Sequence, residues 1–149
     1  MSLLNGNPRA TLPVSSLTVG QEVPPMIVEV TTSQVIVGAL ASRDPQDVHH
    51  DRDIAKSRGF EDIFMNNMTT QGLVFRFVTD WLGPEVAAES IKFQLKRPMY
   101  PGDELHLSGR VTSIEQGKEG RSVATIEVVG KNRLGTHIVC EFRISLPDE

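Results

Sequence analysis

"NNMTTQGLVFRFVTDWLGP", residues 66–84, opens on asparagines suited to cap a helix, continues through a mostly apolar run and stops at Gly83-Pro84. It predicts a helix. Met68, Leu73, Val74, Phe77, Val78 and Trp81 cover so much of its circumference that little is left to face water. Such a helix needs an enclosure. Downstream, "SIKFQLKRP" (90–98), "ELHLSGRVTSIEQ" (104–116), "RSVATIEVVGKN" (121–132) and "THIVCEFRISL" (136–146) alternate apolar and polar residues. They are separated by the turn sequences "YPGD", "GKEG" and "RLG". The pattern predicts an α+β fold in which long antiparallel strands wrap around one buried helix.

The remaining composition narrows the field. A chain of 149 residues with 39% hydrophobic and 23% charged residues reads as one soluble globular domain. A net charge of −4, with no run of Lys or Arg, gives no attraction for nucleic acid or an acidic membrane surface. The lone cysteine, Cys140, sits in a strand-like context and reads as a buried structural thiol, and the cysteine spacings of metal sites are absent. No apolar run reaches the roughly 20 residues that span a bilayer, and the opening residues lack a secretory pattern. These features point to a cytoplasmic protein. Residues 1–17, rich in Asn, Gly, Pro and Ser, read as a loosely held leading segment, with the domain proper over 18–149.

Two shorter helices are expected before the central one. In "TTSQVIVGALASR" the β-branched residues suggest a strand. However, Thr31 and Gln34 form a capping-box pattern, and Val35, Gly38, Ala39 and Ser42 share a helical face, which favours a helix. A second begins near Asp51, with Asp51 and Asp53 as acids favoured by its dipole, and ends at Gly59.

Between them lies "SRDPQDVHHDRD", residues 42–53, with four aspartates and two adjacent histidines. Asp44 and His49 are five apart, and Pro45 keeps the segment from continuing the preceding helix. Folded back, a carboxylate and an imidazole sharing a water can do general acid/base work. The plainer alternative is that Asp44 caps a turn and His49 is an ordinary loop residue. His50 and Asp51 diverge as neighbours and lack further ligands, so no metal site is expected. At the start of the central helix, free backbone N–H groups can hold a developing oxyanion, and Asn66 and Asn67 tolerate unusual backbone angles there. Simple capping explains these asparagines equally well. An acid/base pair together with an anion-accepting helix start supplies the two parts needed to hydrate or dehydrate next to a carbonyl.

"ASRDPQDVHHD", "RGFEDIF", "NNMTTQGL", "TDWLGP" and "RPMYPGDEL", in this order and at these spacings, resemble the MaoC-like (R)-specific enoyl-CoA hydratases and dehydratases of the hotdog fold. The resemblance runs from about Leu17 to the end of the chain. Its most specific part is the Asp-x-x-x-x-His motif of Asp44 and His49. The wording is closer still to one branch, the small subunits of bacterial hydratases that act on steroid side-chain enoyl-CoA thioesters.

The resemblance implies a single hotdog paired with a second one, as a homodimer or with another MaoC-like subunit, with the acyl-CoA along their interface. It implies no separate cofactor, since CoA enters as part of the substrate. Asp44 and His49 would activate a water that adds to the β-carbon of a trans-2-enoyl thioester. Asn67, standing where the family usually has Gly in an "AHGM"-like segment, would polarise the thioester carbonyl through its backbone N–H. Asn66, Met68 and Thr69 of the same turn would line the substrate, and Lys96 and Arg97 would meet the CoA phosphates. A solvated strand end is the other reading of Lys96 and Arg97. Asp80 is expected to make a structural hydrogen bond. A thioesterase on the same fold, or a non-catalytic subunit completing a partner's site, are the competing functions. "MTTQG" offers the thioesterase only Thr69, Thr70 and Gln71, and a pure scaffold has no use for the Asp/His pair.

Overall fold

The computed structural model describes residues 10–149. Strand β1 (Glu22–Glu29) leads into helix α1 (Thr32–Ala41). A 3₁₀ turn at Asp47–His49, the short helix α2 (Arg52–Ser57) and the central helix α3 (Asn67–Leu82) follow. The chain then runs through β2 (Ala87–Leu95), β3 (Glu104–Gln116), β4 (Arg121–Asn132) and β5 (Gly135–Pro147). The five strands form one antiparallel sheet in the order β1-β3-β4-β5-β2. This is the α+β hotdog arrangement that the sequence predicts.

The sheet closes on α3 through alternation. Leu105, Leu107, Val111, Ile126, Val128, Ile138, Cys140, Phe142 and Ile144 turn inward onto Leu73, Val74, Phe77, Val78 and Leu82 of the helix. At Gly109 an added Cβ would press on the Phe77 ring, so the small residue lets helix and sheet approach closely. Helix α1 starts as the capping box implies, with Thr31 accepting from the Gln34 backbone N–H at 3.1 Å.

The structure adds to the sequence reading in three places. Within one chain α3 is enclosed on one side only: Met68 and Phe75 are exposed and Trp81 is half-buried. A five-stranded sheet covers one face of a helix, so Met68 stays uncovered, while Phe75, with its ring centroid 5.7 Å from that of Phe142, and Trp81 pack against the core only in part. Strand β1 carries no alternating pattern in the sequence because Pro24 and Pro25 interrupt it. They sit where its register against β3 shifts, on a sheet edge that tolerates proline. Of the leading segment, residues 1–9 lie outside the described residues, and residues 10–17 make contacts with the end of α3. Leu12 N–H donates to the Leu82 carbonyl at 2.7 Å, Glu85 N–H donates to Thr11 Oγ1 at 2.9 Å, and Leu17 is buried. A carbonyl left over at the end of α3 gives the segment its anchor.

Candidate active site

The loop carrying Asp44 is set by how α1 ends. Asp44 N–H donates to the Ala39 carbonyl at 2.9 Å and Arg43 N–H to the Leu40 carbonyl at 3.1 Å, with Arg43 in the left-handed region at φ 55°. This is a Schellman ending with arginine where glycine is usual. Pro45 follows, and the 3₁₀ turn brings His49 back with its N–H on the Gln46 carbonyl at 3.1 Å. Five residues are thereby folded so that His49 Nε2 lies 3.3 Å from Asp44 Oδ2.

His49 is buried, and its other nitrogen, Nδ1, lies 2.7 Å from the Phe64 carbonyl oxygen. A carbonyl only accepts, so the ring proton of the neutral form belongs on Nδ1, leaving Nε2 as a bare lone pair towards Asp44. The ring also packs edge-on against Phe64, with centroids 5.0 Å apart. Two acceptors 3.3 Å apart share a proton directly and leave no room for a water between them, so a water the pair activates lies alongside it.

Asn66 joins this pair to the central helix. Its Nδ2 donates to Asp44 Oδ2 at 3.1 Å and to Ser42 Oγ at 2.8 Å, and its Oδ1 accepts from Thr69 N–H at 3.0 Å and Thr69 Oγ1 at 2.6 Å. Both donors and both acceptor positions are used, and the residue is 2% exposed. Burial pushes the Asp44 carboxyl up. The hydrogen bond from Asn66, the attraction of the His49 ring in its protonated form and the bonds from Gln46 together outweigh it and hold the group below its ordinary 3.8.

Asn66 is therefore the N-cap of α3 in extended backbone, φ −77° and ψ 163°, and Asn67 is its first helical residue. Neither takes the unusual backbone angles expected of them; in this loop that conformation belongs to Arg43. The side-chain polar atoms of Asn66 are all engaged within the chain. Thr69 is likewise committed through its hydroxyl, and its side chain fills the space above Gly38, where a Cβ would collide with it. The backbone N–H groups of Asn67 and Met68 make no hydrogen bond among the described residues, and both residues are exposed.

Lys96 and Arg97 follow β2 with exposed side chains and no ion-pair partner among the described residues. The Arg97 carbonyl accepts from His137 Nδ1 at 2.6 Å, and His137 Nε2 lies 3.0 Å from Thr70 Oγ1 in the first turns of α3. One buried histidine thus ties the basic strand end to the helix that starts at the site. Burial pushes the His137 ring down from its ordinary value, with the Arg97 carbonyl and the Asp103 charge opposing. Alternation with Ile138, Cys140 and Phe142 would turn His137 outward. Its burial arises at the start of β5, beside a register shift against β4, which the strand pattern does not encode. The Phe64 carbonyl and Ser42 hydroxyl are equally invisible in sequence, because both act through tertiary placement.

The other aspartates of the loop are structural. Asp51 caps α2 by accepting from Asp53 N–H and Ile54 N–H, both at 3.0 Å, and Gly59 follows the helix at φ 89°. Asp47 approaches His50 at 3.8 Å, and Asp80 pairs with Arg76 at 3.2 Å. Among the described residues no group of three His, Cys, Asp or Glu is placed to hold a metal ion. Burial, with the Glu141 charge, pushes the Cys140 thiol up to about 12.

A family model described as "MaoC like domain" matches residues 15–132. The chain belongs to the MaoC-like domain family. This MaoC-like chain is 45% identical over 114 residues to the 3-oxo-4,17-pregnadiene-20-carboxyl-CoA hydratase beta subunit of Mycobacterium tuberculosis, covering 76% of the chain and 84% of that protein. Among solved structures it is similar to the ChsH1-ChsH2 complex from Mycobacterium tuberculosis, at TM-score 0.79 and 41% identity over 87% of this chain and 98% of that one. The (R)-hydratase from A. caviae involved in PHA biosynthesis shares the fold at TM-score 0.78 and 23% identity, covering 89% of this chain and 98% of that one. Among the described residues no helix of the MaoC-like chain is long and apolar enough to cross a membrane.

Proposed function

We propose that the chain is the catalytic subunit of an enoyl-CoA hydratase, adding water across the trans-2 double bond of an acyl-CoA thioester. The observation that carries this reading is His49 Nε2 3.3 Å from the Asp44 carboxylate, joined through Asn66 to a helix start with free N–H groups. A water held alongside the pair, within reach of both groups, is oriented by Asp44 and gives one proton to His49 Nε2 as its oxygen adds to the β-carbon. Negative charge moves to the thioester oxygen, where the Asn67 N–H receives it. The proton taken from water reaches the α-carbon, so the reaction balances without any oxidant or metal.

The acyl group is large and apolar. The 45% identical relative supports this, since its name specifies a pregnadiene carboxyl-CoA. Lys96 and Arg97 meet the CoA phosphates as unpaired exposed cations beside the strand end that His137 ties to α3.

A second MaoC-like subunit covers the open side. Met68 and Phe75 on α3 and Phe93 and Leu95 on β2 leave apolar surface exposed there. The two sheet edges also differ: β1 is blunted by Pro24, Pro25 and a register shift, whereas β2 carries no proline. The two-component complex among the similar structures favours a partner chain of different sequence.

The test mixes the protein, alone and with a candidate partner subunit, with a trans-2-enoyl-CoA and follows the ultraviolet absorbance of the conjugated thioester. Loss of absorbance without free thiol, abolished in Asp44→Asn and His49→Ala, is expected. Thiol release would make the protein a thioesterase instead.

A further inference from the structure

We infer that Asn66 is a positioning residue for the acid/base pair: its side-chain amide holds the Asp44 carboxylate against His49 and ties it to the cap of α3. The amide group has two donors and one oxygen, and all of its capacity is spent on three elements. One donor goes to Ser42 at the end of α1, the other to Asp44 Oδ2, and the oxygen caps α3 through Thr69. Ser42 is itself oriented, donating to the Gly38 carbonyl at 2.7 Å. An ordinary N-cap needs only the oxygen, and Asp or Ser would serve as well. The part that capping does not explain is the N–H directed at the carboxylate.

That N–H meets the same oxygen that His49 Nε2 faces, at 3.1 Å against 3.3 Å. Gln46 adds weaker support to the carboxylate, its N–H lying 3.5 Å from Asp44 Oδ1. The carboxylate is thereby kept from rotating away from His49. A donor at this place also favours the ionised form, which is the form that can accept a proton from water.

The inference rests on the hydratase reading for its rate measurement, but its central readout does not. The experiment follows the ¹³C resonance of the Asp44 carboxyl against pH in the wild type, Asn66→Ala, Asn66→Asp and Thr31→Ala. Asn66→Asp keeps an acceptor for the α3 cap and loses the donor. Thr31→Ala removes a cap of the same kind from α1, where Thr31 is exposed and remote from the carboxylate in role. The expected result is an Asp44 midpoint raised by about one unit or more in both Asn66 variants and unmoved in Thr31→Ala. Hydration of trans-2-enoyl-CoA should fall at least about tenfold in Asn66→Asp, with the acid limb of its pH profile displaced upward. An unmoved Asp44 midpoint in folded Asn66→Ala and Asn66→Asp would overturn the inference and leave Asn66 as a helix cap alone. Should the wild type hydrate no enoyl-CoA while the midpoint still moves, the positioning role stands and the hydratase reading falls.

Discussion

The Phe64 carbonyl oxygen lies 2.7 Å from Nδ1 of His49 and dictates which nitrogen of the neutral ring can act as a base. Asparagine places an N–H near the position of Nδ1 and nothing at Nε2. His49→Asn is therefore expected to retain the bond to Phe64 and the fold while losing hydration by about 100- to 10,000-fold. His49→Ala gives a similar rate loss together with about 1–3 kcal/mol of lost stability, because the buried carbonyl then has no partner. Thermal melting beside kinetics separates the two variants, and ¹⁵N NMR of the ring reads the tautomer directly.

How far the sequence reveals this site is clear from the same residues. The Asp44/His49 spacing, the cap at Asn66 and the turn residues of the long strands are local patterns, so they can be read without coordinates. Phe64 is different: what matters is its backbone oxygen, which any residue could supply. Its place is fixed by tertiary contacts, including Phe64 N–H on the Val48 carbonyl at 3.3 Å. Asn66 shows the intermediate case. Its role as a cap is legible, whereas the donor aimed at Asp44 depends on α1 ending at Ser42 beside the start of α3. The incomplete enclosure of α3 is hidden for a related reason, since apolar residues covered by the sheet and those left for a partner look alike in sequence.

Two groups are expected to give stability a dependence on pH in separate windows. Burial lowers the His137 pKa in the folded chain below 6.5, so the unfolded chain binds the proton more readily. Its contribution is complete above the unfolded value and is lost as pH falls below about 6.5 towards the folded value. Asp44 is also lowered in the folded chain, from 3.8, and its contribution is lost only as pH falls below that value through the folded one. Urea unfolding at a series of pH values should show a shallower decline between pH 7 and 5 in His137→Gln. For Asp44→Asn the difference from wild type should narrow only near pH 4 and below.

Gly38 faces the hydroxyl of Thr69, and a Cβ there would collide with it. Gly38→Ala is expected to cost about 1–3 kcal/mol through overpacking, although alanine is the better helix former. Displacing Thr69 also removes its 2.6 Å bond to Asn66, so activity should fall further than the lost stability explains. Comparing kcat at a temperature where both proteins are folded tests that excess.

Arg43 holds the left-handed position that ends α1, at φ 55°. The conformation costs a non-glycine residue about 1–2 kcal/mol, and glycine's greater freedom when unfolded gives back roughly 0.5–1. Arg43→Gly should therefore raise stability by up to about 1.5 kcal/mol, read as a rise in Tm. An unchanged or lower Tm would mean that the exposed side chain contributes packing beyond the backbone geometry.

Asn67 allows its backbone donor to be removed without removing the helix. It occupies the first helical position, where proline is favoured because its missing N–H has no partner within the helix. The preceding Asn66 is already extended, at φ −77° and ψ 163°, the conformation a residue before proline prefers. Asn67→Pro should thus fold with a Tm close to that of the wild type. If the Asn67 N–H receives the charge developing on the thioester oxygen, kcat should drop by about 100- to 1,000-fold, with a much smaller change in KM. Asn67→Gly keeps the N–H and should retain most of the rate. A proline variant that folds and turns over normally would move the oxyanion donor elsewhere, with the free Met68 N–H next in line.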